Sequence, residues 1–493
     1  MTAVISLDLG TTGNRAIVYE IVSGGLNSRQ SFYEGFDCIY PKPGWVEQDP
    51  EAILETTLTV LRQALSFCQE QGLTCESIGL SNQRETIIAW DKESGNPCYN
   101  AIVWQCRRTA ALCETEPLLS RADEIRQKTG LFLNPYFSGT KIHWLLETVP
   151  EVKSARARGV LQFGTVDTWI IWHLTGHFLT DVSNASRTLL VNTQTGDYDS
   201  ELCGLFSVKE TELPEIRPSF SDFGALKSSI SDTAIPITAV LGDQQAALYA
   251  LCGDDTASVK ATFGTGLFVM SALDGTTTQS LPLPLSEGLL TTVYYQKDAS
   301  PSSLRYAMEG SAYTAGSGIE WCMKNLGICE SASEIEGIAT SISSHEGVYF
   351  LPALTGLASP FWRDDVKAQF VGLTPSCTKA HLLRAVLDAL AFQCQLIISK
   401  LPTQSSLRSL KVDGGVSQNG YLLQTLADVT GLQIERADSH EGTALGVAQL
   451  AVSDTLTLAQ GAASSQVIIP SDNRALVSQS YEEWLAYLHR LLG

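Results

Sequence analysis

The feature that most constrains how this 493-residue chain can fold is a short pattern that occurs twice, about half a chain apart. An alternating apolar run over residues 3–9 leads into the turn Gly10-Thr11-Thr12-Gly13-Asn14 and a second apolar run over 16–19, which predicts a β-hairpin. Residues 258–270 repeat the pattern, with Gly264-Thr265-Gly266 as the turn. This recurrence predicts a chain built from two duplicated halves.

Chain length agrees with this division, because a single hydrophobic core stops growing at roughly 250–300 residues. Strands and helices alternate through the first half, which is typical of an α/β domain. A helix is expected at about 50–70, where Asp49 can cap the amino end and Pro50 suits the first turn. One predicted face of this helix carries four leucines, Leu54, Leu58, Leu61 and Leu65.

Composition argues against several classes of protein. Acidic residues number 53 against 33 basic ones, giving a formal charge of −20, and such a surface repels nucleic acid and anionic lipid. The 12 cysteines are scattered without a C-x-x-C pair, which favours a reducing compartment over a disulfide framework. Residues 1–9 show no signal-peptide pattern, and the apolar segment 382–401 carries charges. We therefore expect a cytoplasmic protein that binds neither nucleic acid nor membrane.

Glycine turns that follow predicted strands indicate phosphate binding. The patterns G-x-x-x-x-G-K-[ST] and G-x-G-x-x-G do not occur, which disfavours a P-loop enzyme and a dinucleotide dehydrogenase. Instead, Asp8 ends the first strand, the next turn offers amides and hydroxyls, and Arg15 offers a guanidinium, which together can hold Mg²⁺ and the end of a triphosphate. The turns Gly264-Thr265-Gly266 and Asp413-Gly414-Gly415 add further amides, so we predict a nucleotide between the halves.

These three turns resemble the two phosphate motifs and the adenosine motif of the superfamily that contains actin, the sugar kinases and the heat-shock ATPases. Tyr136-Phe137-Ser138-Gly139-Thr140-Lys141, followed by Trp144, is similar to a signature of the FGGY carbohydrate kinases. Five further segments resemble the branch of that family that phosphorylates glycerol, namely 40–47, 82–86, 101–105, 163–169 and 242–245. The likeness runs in order from the first strand to about residue 450.

The resemblance implies an ATP-dependent kinase that phosphorylates glycerol. The implied fold is α/β, with two duplicated ribonuclease-H-like domains of the actin and sugar-kinase type, mixed sheets flanked by helices, and a cleft between the domains. We expect the domains at 1–244 and 245–493. Family members form dimers and tetramers, so a homodimer and a homotetramer both stay open.

The resemblance also implies roles for particular residues. Asp243 would accept the proton of the attacking hydroxyl, and Asp8 would be the second catalytic residue and the Mg²⁺ ligand. The polyol would be bound by Arg84, Glu85, Trp104, Tyr136, Asp243, Gln244 and Phe268. The nucleotide would be bound by Thr11, Thr12, Arg15, Thr265, Gly316, Glu320, Gly415 and Asn419. Polar partners suit a triol with little apolar surface, and Trp104 and Phe268 are expected to leave no room for a longer sugar.

The sequence departs from the family pattern in several places. Leu9 and Gly13-Asn14 replace a Gln and a Ser-Ser pair in the first phosphate turn, which removes two side-chain donors. Glu320 stands where these kinases often have Gln. The segment 224–236 lacks both the Gly-x-Arg loop that binds fructose bisphosphate in some relatives and the histidine phosphorylated in others, so neither control is expected. Residues 363–367 replace the usual Asp-Pro-x-Ala-Arg pattern.

Two other functions stay open from the sequence. One is an FGGY kinase that acts on a pentose, a pentulose or another short polyol, although Arg84-Glu85, Trp104 and Phe268 favour the smaller substrate. The other is a catalytically inactive, actin-like regulator that binds nucleotide. The presence of Asp8 and Asp243 argues against an inactive protein.

Overall fold

The computed structural model describes residues 1–274, 285–402, 404–438, 441–453 and 464–493. Strands of the first half, numbered in chain order, are β1 (Thr2–Leu9), β2 (Gly13–Val22), β3 (Gly25–Gly35), β4 (Glu47–Gln48), β5 (Thr74–Asn82), β6 (Ile87–Asp91), β7 (Ala101–Ile102), β8 (Leu161–Thr165), β9 (Leu179–Asp181), β10 (Val191–Asn192), β11 (Asp197–Tyr198), β12 (Glu215–Arg217) and β13 (Ile237–Gly242). Its helices are α1 (Pro50–Glu70), α2 (Ala110–Cys113), α3 (Ala122–Thr129), α4 (Ser138–Thr148), α5 (Pro150–Arg158), α6 (Val166–Thr175), α7 (Val182–Ala185), α8 (Ser200–Leu205) and α9 (Asp243–Cys252).

The second half continues the numbering. Its strands are β14 (Ser258–Phe263), β15 (Leu267–Ala272), β16 (Leu290–Gln296), β17 (Leu304–Ala312), β18 (Tyr349–Leu351), β19 (Gln369–Val371), β20 (Ser409–Asp413), β21 (Gln433–Ala437) and β22 (Ser464–Ile468). Its helices are α10 (Gly316–Trp321), α11 (Ile335–Thr340), α12 (Lys379–Ile398), α13 (Gly420–Thr430), α14 (Gly442–Ala451) and α15 (Arg474–Leu492).

The two central sheets share one topology, which confirms the predicted duplication. In the first half the strand order is β3-β2-β1-β5-β13, where β1 and β2 form the expected antiparallel hairpin and β5 and β13 run parallel to β1. The second half repeats this order as β17-β15-β14-β20-β21, with β16 and β22 added at its two edges. Because parallel strands end at the same edge, the glycine turns and the residues after β5, β13 and β20 gather at the edges that face the cleft.

Helix α1 begins where the sequence predicts, with Asp49 accepting a hydrogen bond from the amide of Glu51 (3.0 Å). Its buried stripe differs from the predicted leucine face. The fully buried positions are Ile53, Thr57, Val60, Leu61, Ala64 and Cys68, whereas Leu54, Leu58 and Leu65 flank this stripe and are partly buried. Small side chains in the stripe let the helix lie close to β2 and β3. The partly buried leucines then pack against the core at the margins of the stripe.

Helix α12 carries the apolar segment noted in the sequence. Its 20 residues are long and apolar enough to cross a membrane, but 83% of its most apolar window is buried inside the protein. It packs against α11, α13 and β18 in the core of the second half. The burial explains the composition, because a core helix is apolar on every side.

The halves are joined by two helices that pack between the central sheets. Helices α9 and α14 cross so closely that a Cβ on Gly446 would lie 1.8 Å from the carbonyl oxygen of Ala246. A shared hydrophobic cluster surrounds this crossing and includes Val4 from β1 and Val447 from α14. The domain boundary expected between residues 244 and 245 falls in the first turn of α9. This boundary stays a prediction.

Candidate active site

The first two glycine turns are closed by their own backbone hydrogen bonds. In the turn after β1, the amide of Gly10 donates to the carbonyl of Gly13 (3.0 Å). The turn after β14 is continuous with the start of α10, because the amide of Gly316 donates to the carbonyl of Gly264 (2.9 Å). Thr265 and Gly316, both predicted nucleotide ligands, are thereby brought together, with amides that can point at an anion.

The third turn packs directly against β14. Gly414 has φ of 89°, and a Cβ there would lie 2.4 Å from the carbonyl oxygen of Phe263, so this close approach requires glycine. Gly415 follows and is exposed. Asn419 caps α13, where its side chain accepts a hydrogen bond from the amide of Leu422 (2.9 Å). The turns of the second half therefore form one continuous backbone surface.

Two carboxylates lie at the cleft edge of the first sheet. Asp8 is on β1 beside Ser81 of β5, whose hydroxyl donates to its carboxylate (3.0 Å), and Asp243 starts α9 directly after β13. Desolvation, reinforced by the negative charge of Asp243 and opposed by Ser81, raises the pKa of Asp8 to about 6. The side chain of Asp243 is 31% exposed. A cation bound between these carboxylates would stabilise the charged form of Asp8, which burial disfavours.

Arg84 and Glu85 are buried, with 2% and 1% exposure, and do not form a surface pair. The Nε of Arg84 lies 3.2 Å from Oδ1 of Asp243, and its Nη1 donates to Glu309 (2.5 Å). Arg187 donates from Nε to Oε1 of Glu85 (2.6 Å). Arg84 and Glu85, which are predicted to bind the polyol, thus belong to a buried network of alternating charges.

The backbone of Glu85 is held in an uncommon conformation. Its φ is +61°, a region that side chains other than glycine rarely adopt. Its carbonyl accepts hydrogen bonds from Ser138 (3.0 Å) and from the ammonium of Lys141 (3.2 Å), which also donates to the carbonyl of Tyr136 (2.7 Å). Burial lowers the pKa of Lys141 to about 7. Helix α4 therefore fixes the turn that presents Glu85.

Three aromatic rings form a wall between the halves. The Trp104 ring centroid lies 5.7 Å from that of Tyr136 and 6.3 Å from that of Phe268 on β15, and its Nε1 donates to the hydroxyl of Thr11 (3.0 Å). The three rings line a cavity of about 510 Å³. The other aromatic residues lining this cavity are Tyr40, Trp45, Tyr313 and Trp321. The expectation that Trp104 and Phe268 leave no room for a longer sugar stays a prediction.

Besides the pair of Arg84 and Glu309, charged contacts cross between the halves at Gln244 and at Arg15. Gln244 accepts a hydrogen bond from the fully buried ammonium of Lys260 on β14 (2.6 Å). Arg15, predicted to bind phosphate, forms an ion pair with Glu441 next to α14. Both contacts place residues of the first phosphate turn and of the acceptor pocket against the second half.

Comparison with known proteins agrees with this architecture. The sequence matches the N-terminal domain of the FGGY family of carbohydrate kinases over residues 3–250 and the C-terminal domain over residues 259–454. The chain belongs to this family. The family and the two-domain sugar-kinase fold predicted from the sequence are thereby confirmed.

Several FGGY relatives are similar over nearly the whole chain. A glycerol kinase of Synechocystis sp. is 43% identical over 451 residues, covering 90% of this chain and 89% of the relative, and one of Pseudothermotoga lettingae is 40% identical over 452 residues, covering 91% and 89%. The crystal structure of Plasmodium falciparum glycerol kinase with ADP has a TM-score of 0.89 at 32% identity, covering 100% of this chain and 99% of that one. A xylulose kinase from Lactobacillus acidophilus has a TM-score of 0.87 at 20% identity, which shows the shared fold alone.

The structure accounts for one departure from the FGGY pattern in the first phosphate turn. Asn14 is fully buried, and its amide nitrogen lies 2.8 Å from the hydroxyls of Thr56 and Thr57 and 2.9 Å from the carbonyl of Ile53. The side chain therefore anchors the turn to α1. Thr12 stays exposed at the tip, where its carbonyl accepts from the Tyr33 hydroxyl (3.0 Å).

Two other departures lie at the edges of the FGGY cleft. Glu320 on α10 is 56% exposed and forms an ion pair with Lys324, in the π-helical turn 322–326 that follows α10. Within the described part of the chain, neither a hydrogen bond nor an ion pair joins Glu320 to the glycine turns. Asp364, within the altered segment 363–367, forms an ion pair with Arg107 of the first half. Arg107 also lines the cavity, which places the altered segment at the mouth of the pocket.

Sequence reasoning missed four charged residues that support the site, namely Arg187, Lys141, Lys260 and Glu309. Each is buried, and each contacts a predicted site residue or its backbone. A lone charge among uncharged small or apolar neighbours was an available signal for two of them, Lys260 between Val259 and Ala261 and Glu309 between Met308 and Gly310.

Proposed function

We propose that this chain transfers the γ-phosphoryl group of ATP to a terminal hydroxyl of glycerol, giving glycerol 3-phosphate. The observation that carries the proposal is the pairing of Asp243 with Arg84 in a charged cluster that adjoins the aromatic wall. The wall meets this cluster at Tyr136, whose ring packs against Trp104 and lies 5.9 Å from the guanidinium carbon of Arg187. Relatives named glycerol kinase, at 40–43% identity over about nine-tenths of the chain, support the same substrate.

Asp243 suits the role of general base. It starts α9, is partly exposed to the cleft, and is oriented by Nε of Arg84 at 3.2 Å. As the hydroxyl oxygen forms its bond to the γ-phosphorus in line with the leaving ADP oxygen, the hydroxyl proton passes to the Asp243 carboxylate. Positioning and charge neutralisation supply most of the rate enhancement in such transfers, so the base contributes a smaller share.

The polar side chains beside Asp243 suit a polyol. Glu85 uses Oε1 to accept from Arg187, which leaves Oε2 to accept from a hydroxyl. Gln244 accepts from Lys260 through Oε1, and its amide nitrogen donates one hydrogen to Oδ2 of Asp243 (3.4 Å), which leaves the second hydrogen for the polyol. The rings of Trp104 and Phe268 cover the carbon chain and exclude water, which protects ATP from hydrolysis.

The residues around Asp8 fit a magnesium ion carried with the nucleotide. The described residues contain no cluster of three or more His, Cys, Asp or Glu suited to a metal, and Mg²⁺ commonly binds to one or two carboxylates plus substrate phosphates. When bound, Mg²⁺ would neutralise charge on the phosphates. Asp8 would hold the ion, Thr11, Thr12 and Arg15 would bind the terminal phosphates, and the turns of the second half, with Thr265, Gly316, Gly415 and Asn419, would hold the rest of the nucleotide.

A second candidate is a longer acceptor, such as a pentulose. The cavity of about 510 Å³ that Trp104, Tyr136 and Phe268 line is larger than a three-carbon polyol. The identities with glycerol kinases favour glycerol over this alternative. A cytoplasmic location and a homo-oligomeric state stay predictions from the sequence.

A coupled ADP-release assay across glycerol, dihydroxyacetone, xylulose and ribulose tests the proposal, with ³¹P NMR to identify the product. We expect kcat/KM to be highest for glycerol, and glycerol 3-phosphate to be formed. A higher kcat/KM for xylulose or ribulose would support the second candidate. Nucleotide binding without turnover of any acceptor would instead support an inactive regulator.

A further inference from the structure

We propose that Glu309, on β17 of the second half, is a positioning residue that orients both side chains with which the first half would hold the acceptor polyol. It acts on Arg84 directly and on Glu85 through Arg187. The inference rests on the proposed function, which gives Arg84 and Glu85 the role of acceptor ligands.

The contact between Glu309 and Arg84 fixes the plane of the guanidinium. Nη1 of Arg84 donates to Oε2 (2.5 Å) and Nη2 donates to Oε1 (3.1 Å), so the carboxylate is bidentate. Both side chains are at most 2% exposed. Bidentate pairs between arginine and a carboxylate add geometric specificity as well as attraction, which a single contact does not.

Most of the N–H donors of Arg84 are already used by protein groups. A guanidinium has five N–H groups. Nη1 uses two, toward Glu309 and Gln245 (3.1 Å), Nη2 uses one toward Glu309, and Nε faces Asp243 at 3.2 Å. Within the contacts of the described residues, one Nη2 hydrogen is left. Glu309 thereby determines which donor of Arg84 can meet an acceptor hydroxyl.

The same carboxylate reaches Glu85 through one intermediate. Oε1 of Glu309 accepts from Nη2 of Arg187 (3.0 Å), and Nε of Arg187 donates to Oε1 of Glu85 (2.6 Å). Glu85 sits at a backbone φ of +61°, a conformation that persists only where surrounding contacts hold it. Arg187 bridges the two carboxylates, so Glu309 also supports the side chain of Glu85.

The charge of Glu309 is maintained by its partners. Burial alone would raise the pKa of Glu309, but the two guanidiniums of Arg187 and Arg84 lower it to about 2. The group therefore accepts hydrogen bonds as a full carboxylate throughout the physiological pH range. Because it lies on the second half and its partners on the first, the acceptor ligands are oriented across the boundary between the halves.

Steady-state kinetics of Glu309→Gln and Glu309→Asp test this role. Gln keeps the shape but places an amide NH₂ against a guanidinium, whereas Asp keeps the charge and shortens the reach. We expect KM for glycerol to rise at least tenfold in Glu309→Gln and about threefold to tenfold in Glu309→Asp, with KM for ATP within twofold of wild type. The matched control is Asp388→Asn, a buried carboxylate of the second half outside the site, with KM for glycerol within twofold of wild type.

Each outcome decides the inference. The wild-type assay comes first, and an inactive wild type contradicts the proposed function itself. With an active wild type, a variant that melts cooperatively and retains KM for glycerol within twofold overturns the positioning role alone. If Glu309→Gln does not fold, Glu309→Asp decides by the same criterion. If neither variant folds, Glu309 is a structural residue and the inference is wrong.

Discussion

Asp8 and Asp243 lie at the ends of two strands, β1 and β13, that both pair with β5 and run in the same direction. The negative charge of Asp243 contributes to the raised pKa of Asp8, after the larger effect of desolvation. Two carboxylates this close at the edge of a cleft form a site where a divalent cation and a reacting hydroxyl can be placed side by side.

The substitution Asp8→Asn should weaken the use of Mg²⁺. The amide keeps the shape and can still accept from Ser81, but it removes the negative charge that would hold the cation. We expect the Mg²⁺ concentration for half-maximal activity to rise and kcat to fall by about 10²-fold, the usual scale for losing one electrostatic element of a phosphoryl-transfer site. Titration of activity with MgCl₂, after treatment with EDTA, measures both effects. A wild-type Mg²⁺ dependence would remove Asp8 from this role.

Much of this arrangement could be predicted from local sequence. The Gly-Thr turns, the cap at Asp49 and the order of the family motifs all lie within short segments, because turns and caps are set by neighbouring residues. The topology confirmed the duplication because both halves repeat the same strand order.

Other parts of the site could not be predicted, for physical reasons. Glu309 and Arg84 are 225 residues apart, and no local pattern indicates which charges meet in a buried network. The course of the α1 stripe depends on how closely the helix approaches β2 and β3, which small residues such as Thr57 and Ala64 decide. The cavity that Trp104 lines depends on how the two halves sit against each other.

Phe268→Ala should relax the choice of acceptor. Removing the ring takes away one side of the aromatic wall and enlarges the cavity that the ring lines. We expect kcat/KM for glycerol to fall about tenfold and the preference for glycerol over xylulose to shrink by about 10–100-fold, the range for losing one apolar contact in a pocket. Competition between glycerol and xylulose measures the ratio, and KM for ATP is the internal control. An unchanged ratio would show that Phe268 does not limit substrate size.

Asp388→Asn should stabilise the protein at neutral pH. Burial raises the pKa of Asp388 to about 6 from 3.8, despite a hydrogen bond from the Tyr421 hydroxyl (2.6 Å). A raised folded-state pKa gives stability that is fully present below pH 3.8 and lost as pH rises through 6, to a limit of about 3 kcal/mol. Asn does not ionise, so the variant does not lose this stability as the pH rises. Its side-chain oxygen can still accept the hydrogen bond from the Tyr421 hydroxyl.

Thermal unfolding at several pH values checks this expectation. The midpoint of Asp388→Asn should match that of wild type near pH 4 and exceed it increasingly up to pH 7, by a few degrees. A difference between the two proteins that does not vary with pH would mean that Asp388 does not titrate in this range.

The most direct test of the account is the substitution Asp243→Asn, measured for both turnover and binding. Asn removes the proton acceptor but keeps an oxygen that can face Nε of Arg84. We expect kcat to fall by about 10²–10⁴-fold, the scale of a lost general base, while calorimetric affinities for glycerol and for an ATP analogue stay within about threefold of wild type. Unchanged turnover in this variant, with binding intact, would contradict the assignment of Asp243 as the base at the phosphoryl-transfer site.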